Sequence, residues 1–348
     1  KTDIDYILLG NNYLSNKNLD KAIESYLKAI KINPDNSNAH YNLGVSYHNN
    51  HEYSEAIKSY LQAIKINPDN TNAHYGLAIS YDNNKEYEKA IESYLQAIKL
   101  NPNNSNFYHA LGVSYANHGE NLMAIESYLK GIKINPENSD THYNLGISYD
   151  DNKEYSKAIE AYLQSIKINS NNSNAYYGLG ISYDNNNEYL KAIEAYTQSI
   201  KINPDNSDNY YSLGISYDHN KEYTKAIEAY TQSIKINPEA SSSYLNLFEL
   251  ELIEDKLRND ELTKKYLLNM TKNNKSLFQY DMLNILRDIK ECKDTDIEKL
   301  FLDYKNTPFD DWNFINLDLW ALKQNKNIRK ELILTIDKFK TILKNEKK

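Results

Sequence analysis

Between residues 37 and 70, small and apolar side chains recur at spacings of three and four in two stretches, with a polar break between them. In the first stretch His40, Leu43, Gly44 and Tyr47 fall on one helical face; in the second, Ala56, Ile57, Tyr60, Ala63 and Ile64 do so. The break, HNNHE from His48 to Glu52, reads as a turn. Ser37 is expected as the N-cap of the first helix, since its hydroxyl can accept from a backbone N–H that the helix leaves unpaired. Pro68 cannot continue the second helix, and Asp69 and Asn70 suit the turn that follows.

The pattern then repeats. Gly44, Gly112, Gly146, Gly180 and Gly214 are separated by multiples of 34 residues, with Ala78 in the one gap. Pro34, Pro68, Pro102, Pro136, Pro204 and Pro238 keep the same period, with Ser170 at the missing place. Seven repeats fit without insertion: 3–36, 37–70, 71–104, 105–138, 139–172, 173–206 and 207–240. Such a period is that of a helix–turn–helix solenoid, in which each pair buries its apolar face against its neighbours. Gly44, Ala56 and Ala63 are expected where two helices approach closely, since a larger side chain there would overpack the contact at a cost of about 1–3 kcal/mol. A mid-helix glycine costs roughly 1 kcal/mol relative to alanine, so its return in most repeats implies that close packing offsets the loss. Tyr47 and Tyr60 are expected to fill the space between neighbouring pairs. The fourth repeat departs most. Asn121 stands where Tyr53, Tyr87, Tyr155, Tyr189 and Tyr223 stand elsewhere, and Gly131 replaces the alanine of Ala63 and Ala97. Both changes remove packing and mark this repeat as the expected soft joint of the array.

Leu43, Gly44, Tyr47, Ala56, Tyr60, Ala63 and Pro68 together closely resemble the tetratricopeptide repeat pattern, and the resemblance extends over 3–240. It implies an all-α fold: a right-handed superhelical solenoid of antiparallel helix pairs with a helical C-terminal cap. It also implies that the first helix of each repeat lines an inner groove.

Beyond Ala240 the period fades. Tyr244 and Leu247 stay in register but Phe248 takes the place of glycine, and KKYLLNMTKNN echoes the second helix with a small shift, so 241–276 reads as a degenerate eighth helix pair. Residues 277–348 read as a C-terminal helical capping region. Apolar residues recur at helical spacing over 276–291, 295–305 and 328–345, and Thr307–Pro308 opens a further helix carrying Trp312 and Trp320. A cap would cover the last apolar face of the solenoid; a second binding module anchored on the two tryptophans is the alternative.

Composition narrows the function. The chain has 348 residues, a formal net charge of −8 and 40% hydrophobic residues, enough to bury a core. No stretch approaches the roughly 18 unbroken apolar residues of a membrane span, and membrane insertion is not expected. The single Cys292 excludes an internal disulfide framework. No signal peptide is visible and cytoplasmic residence is expected; export is the alternative, because the chain opens at Lys1 rather than Met and a signal could have preceded it. The repeated region is acidic and holds no Arg before Arg258, the opposite of the basic stripe that nucleic acid requires. There is no glycine-rich phosphate loop, no G-x-S-x-G and no H-E-x-x-H, so neither enzymatic activity nor a cofactor is expected. His40, His74 and His142 lie in different repeats, each expected to face the partner helix of its own pair. They are too far apart to share a metal.

What remains is surface. Counting each repeat from its first residue, positions 2, 5, 9, 12 and 13 of the first helix share a face distinct from the packing face, which the family resemblance makes the groove. Position 5 gives Tyr41, Tyr75, His109, Tyr143, Tyr177 and Tyr211, and position 9 gives Val45, Ile79, Val113, Ile147, Ile181 and Ile215. Position 12 gives His48, Asp82, Ala116, Asp150, Asp184 and Asp218; position 13 includes Asn49, Asn83, Asn117 and Asn185. With Asp140, Asp151 and Asp208, acid gathers in the last three repeats. Tyrosine combines a rigid apolar ring with a hydrogen-bonding tip, as binding surfaces favour. The groove lacks the Lys and Arg that in some tetratricopeptide domains hold a carboxylate tail, offering Asn11 and Asn42 instead. The expected function is a non-catalytic scaffold that binds a protein or peptide segment, basic and apolar, in the groove. The alternatives are a regulatory or substrate-docking arm of a larger enzyme or complex, or an exported effector binding a foreign partner. Self-association through uncovered solenoid ends is a further possibility.

Overall fold

The computed structural model describes residues 1–254, 274–290, 321, 324, 329–330 and 332–337. The second helix of the expected eighth pair, the helices expected over 295–305 and after Thr307–Pro308, Cys292, Trp312, Trp320, Phe339 and Leu343 lie outside the described residues. Two compact bodies divide the chain, residues 1–171 and 172–348.

The fold is all-α, and its helices come in consecutive antiparallel pairs. The N-terminal body holds α1 (Asp3–Ser15), α2 (Leu19–Ile32), α3 (Ser37–Asn49), α4 (Tyr53–Ile66), α5 (Thr71–Asn83), α6 (Tyr87–Leu100), α7 (Ser105–Asn117), α8 (Asn121–Ile134), α9 (Ser139–Asp151) and α10 (Tyr155–Ile168). The C-terminal body holds α11 (Ser173–Asn185), α12 (Tyr189–Ile202), α13 (Ser207–His219), α14 (Tyr223–Ile236), α15 (Ser241–Ile253) and α16 (Asn274–Lys290).

Local chemistry sets the helix ends. Asn36, not Ser37, caps α3: its backbone is extended and its side chain accepts from the Ala39 N–H. Asn70 and Asn138 act likewise on Ala73 and Thr141. Ser37 is instead the first helical residue, and its hydroxyl donates to the Ala63 carbonyl at 3.0 Å, tying the two helices of its pair. The turn between paired helices needs a left-handed residue. Lys17, His51, Lys85, Lys153, Asn187 and Lys221 take φ of 57–62°, and Gly119 takes 85°. Each second helix ends at an extended asparagine; before proline, as at Asn67, ring sterics exclude the helical backbone there.

The glycine pattern has a direct cause. A Cβ built on Gly44 would lie 2.8 Å from the Tyr60 ring, and one on Gly76 2.7 Å from the same ring. Tyr60 is therefore wedged between its own first helix and that of the next repeat, and it is 3% exposed. Tyr26, Tyr94, Tyr128, Tyr162, Tyr196 and Tyr230 hold the equivalent place and are also buried.

The fourth repeat loses the packing of Asn121 and Gly131 but gains elsewhere. Phe107 replaces a small residue and stacks on Tyr75 at 4.9 Å, Tyr115 is buried, and His109 Nδ1 lies 2.9 Å from Thr141 Oγ1. The imidazoles of His40, His74 and His142 are held from the preceding turn, and His74 also lines a cleft with Glu92 and Leu95 of its partner helix. Their Nε2 atoms lie 2.9–3.0 Å from the carbonyls of Pro34, Pro68 and Pro136 in the preceding turn.

In the C-terminal body the core extends past the last regular repeat. Tyr230, Tyr244, Leu247, Phe248, Leu250 and Leu252 pack in one cluster with Met282, Leu283, Leu286 and Ile289 of α16 and with Ala321, Leu332 and Ile336.

Candidate partner-binding face

In the N-terminal body the first helices α1, α3, α5, α7 and α9 touch one another in succession, whereas the second helices approach less closely. The first helices therefore form the inner side of that body. In the C-terminal body α11 and α13 are neighbours in the same way.

The tyrosines divide into two kinds. Those at position 24, named above, are sealed in the core. Those at position 5 are half-buried and lie on the sealed ones. Ring centroids are 5.9 Å apart for Tyr41–Tyr60, 5.8 Å for Tyr75–Tyr94 and 5.9 Å for Tyr143–Tyr162. His109 takes the tyrosine's place against Tyr128, and Tyr177 and Tyr211 pack on Tyr196 and Tyr230. Burial raises the phenols of Tyr41, Tyr75, Tyr143 and Tyr211, so they remain protonated hydrogen-bonding groups at neutral pH. Burial lowers the His109 imidazole, which favours its neutral form. Val45, Ile79, Val113, Ile147, Ile181 and Ile215 are partly buried beside this row, and Asn49, Asn83, Asn117 and Asn185 are exposed.

Position 12 serves the array as well as the face. Asp82 accepts from Ser114 of the next repeat at 2.7 Å and from Tyr94 at 2.8 Å. Asp184 accepts from Ser216 at 2.8 Å and from Tyr196 at 3.1 Å. Tyr162 donates to Asp150 at 3.1 Å, and His48 Nδ1 lies 3.0 Å from Ser80 Oγ. Desolvation raises the carboxyls of Asp82 and Asp184, against the opposing pull of their hydroxyl donors. Ala116 offers no such group. Asp218 also interacts within the molecule. Asp140, Asp151 and Asp208 are exposed.

The serines at position 10, two of which meet these aspartates, are the residues that sequence reasoning missed. Ser46, Ser80, Ser114, Ser148, Ser182 and Ser216 recur at position 10 and are buried. A polar residue returning on a core-facing position in six repeats was a usable signal, but its partner lies 32 residues away and no local spacing reveals it.

Among the described residues no group of three or more His, Cys, Asp or Glu is placed to hold a metal ion, and no helix is long and apolar enough to cross a membrane.

Paired helices in register, tyrosine wedged on glycine and an inner row of first helices define a helix-pair repeat protein. Models described as TPR repeat or tetratricopeptide repeat match residues 10–50 and 81–119; 37–70, 139–172, 173–206 and 207–239; 59–92; and 105–138. The chain belongs to the tetratricopeptide repeat family, whose fold generally serves protein–protein interaction without catalysis. No curated protein matches it. Among solved structures it is similar to the C-terminal part of a TPR repeat-containing protein from Cytophaga hutchinsonii, with TM-score 0.60 and 19% identity over 68% of this chain and 98% of that one. It is also similar to PilF of Pseudomonas aeruginosa, with TM-score 0.51 and 20% identity over 60% and 95%. MamA is 28% identical over 49% of this chain and 92% of its own, with TM-score 0.47.

Proposed function

We propose that the chain is a non-catalytic scaffold that holds a partner segment against the inner face of its first helices, and that this segment combines apolar anchors with Lys or Arg. The observation that carries the reading is the row of half-exposed tyrosines, each braced by a buried ring. A ring fixed in this way offers contact area at little further loss of side-chain freedom. Charge selects the segment. Asp140, Asp151 and Asp208 are exposed at positions 2 and 13, and acidic walls speed the arrival of cations and make binding sensitive to salt. Asp82 and Asp184 are less suited to this work, because they already tie neighbouring repeats together. We further propose that residues 241–276 form an eighth pair and that 277–348 close the array, a reading supported by the α15–α16 core.

Selection of displayed peptides against the full chain, followed by anisotropy titration of those recovered, tests this. The expected peptides carry Lys or Arg beside aromatic or aliphatic residues. Their affinity falls by about tenfold or more in the Tyr75→Ala, Tyr143→Ala double variant. Their salt dependence shrinks when Asp140, Asp151 and Asp208 become Asn. Acidic peptides, or binding indifferent to both variants, would refute the proposal.

A further inference from the structure

Five leucines stand on the outside of the N-terminal body in one register. Leu27, Leu61, Leu95, Leu129 and Leu163 occupy position 25 on α2, α4, α6, α8 and α10, and each is between 43% and 47% exposed. Single exposed leucines are ordinary on a protein surface; a row of them on neighbouring helices marks an interaction surface. Leu61 and Leu95 border a cleft of about 360 Å³ that Ile64, His74 and Leu77 also line. In the C-terminal body the same position holds Thr197 and Thr231, whose hydroxyls donate to the carbonyls of Ile193 and Ile227 at 2.7 Å. A second helix of this kind therefore folds with a polar residue there, and packing within the pair does not require the leucine.

The charges beside the row identify its occupant. Three residues before the leucine stand Glu24, Glu92, Glu126 and Glu160; four residues after it stand Lys31, Lys65, Lys99, Lys133 and Lys167, all exposed. A helix with this order is complementary to itself when turned end for end, because each Glu then meets a Lys and the leucines meet near the centre. Lys58 breaks the pattern, and its own helix answers its charge through Glu55 at 2.6 Å; Glu24 and Glu126 also hold Lys28 and Lys130 of their own helices, which leaves Glu92 and Glu160 as the glutamates without a salt bridge on their own helix.

We propose that this leucine face binds the same face of a second copy of the chain, across a two-fold axis that sets the second helices antiparallel. The first helices form the inner side of this body, so the outer side curves away and only a few second helices from each copy touch. The contact is expected to fall below the roughly 800 Å² per partner of a standard interface, the range of weak and transient association.

Sedimentation equilibrium of the full chain from low micromolar to several hundred micromolar concentration tests this. The wild type is expected to dimerise with rising concentration. Changing Leu61, Leu95 and Leu129 together to Thr, the residue the chain itself uses at 197 and 231, weakens the dimer by about tenfold or more while far-UV circular dichroism stays unchanged. Glu92→Lys alone also weakens it, because the introduced ammonium then meets Lys99 of the other copy, and the two-fold axis repeats the clash; adding Lys99→Glu restores it. A chain monomeric throughout the range overturns the proposal. So does a dimer indifferent to the threonines, which would place association elsewhere, for instance at the array ends. Failure of the charge swap to rescue overturns the antiparallel arrangement.

Discussion

Replacing Gly112 and Gly131 with alanine, one at a time, separates helix propensity from close packing inside a single helix pair. Each substitution adds one methyl to a helix interior and gains about 1 kcal/mol of intrinsic propensity, part of it through the unfolded chain. The surroundings differ. At Gly131 the new Cβ would meet the Ser105 carbonyl oxygen and Tyr108 Cβ at 3.4 Å, an ordinary contact, and Ala63 and Ala97 already occupy the equivalent place. Gly131→Ala is expected to stabilise by about 0.5–1 kcal/mol. At Gly112 the Cβ would come within 2.5 Å of Tyr128 Cε1 and 2.6 Å of its Cδ1. That ring is 2% exposed and has little room to swing away. Overpacking costs about 1–3 kcal/mol, and Ala78 opposite Tyr94 shows that one repeat accommodates the methyl, so the cost falls toward the lower end. Gly112→Ala should then lie between neutral and about 1 kcal/mol destabilising, and the difference between the two variants, in which propensity cancels, should be about 1–2 kcal/mol. A repeat array does not unfold in one step, so the measurement is native-state hydrogen exchange on the peptides of α7 and α8. Protection should rise in α8 for Gly131→Ala and fail to rise in α7 for Gly112→Ala. Equal gains in both would refute the argument that the Tyr128 ring is what holds Gly112 in place. The same exchange profile tests the softness of the fourth repeat, since uniform protection across the array would mean that Phe107, Tyr115 and the His109–Thr141 bond compensate for Asn121 and Gly131.

Further outcomes are expected. Ser165 is fully buried with its hydroxyl unpaired where Ala29, Ala63 and Ala97 stand in other repeats, so Ser165→Ala should stabilise by about 1 kcal/mol, read as a raised melting temperature. Lys85 sits at φ 61°, a conformation that costs a side chain about 1 kcal/mol and glycine almost nothing; Lys85→Gly should stabilise and Gly119→Lys destabilise, each by under about 1 kcal/mol in hydrogen exchange of the helix pair that holds it. His109 has its folded-state pKa lowered from 6.5 by burial, so the unfolded chain binds more protons below that pH and stability is lost as pH falls. The His109→Gln variant should flatten this part of the stability profile between pH 7 and 5, and an unchanged slope would contradict it. Asp82 carries the opposite sign: its raised carboxyl makes the native state bind more protons just above the ordinary value of 3.8, so its contribution diminishes as pH rises through that window, and Asp82→Asn should remove the trend.

The chain spells out its period, its two helices per repeat and its pairing of small residues with tyrosine, because each follows from spacings of three, four and 34 residues along one helix or one repeat. The tyrosine row was legible for the same reason, since position 5 recurs every 34 residues; that each ring leans on the buried tyrosine of its own pair was not. Other features depended on what lies opposite. The cap of α3 is Asn36 rather than Ser37, whose hydroxyl donates to the Ala63 carbonyl across the pair. The histidines of position 4 turned to proline carbonyls in the preceding turn. Asp82 and Asp184 of position 12 became ties between repeats, and the leucines of position 25 became surface, once the angle between successive pairs decided which side chains meet. Sequence alone determined the helices and their order, since helix periodicity is a local property. Only the tertiary structure decided which polar groups are occupied and which apolar ones are left to a partner, since that rests on contacts between residues some 30 positions apart whose approach no local pattern encodes.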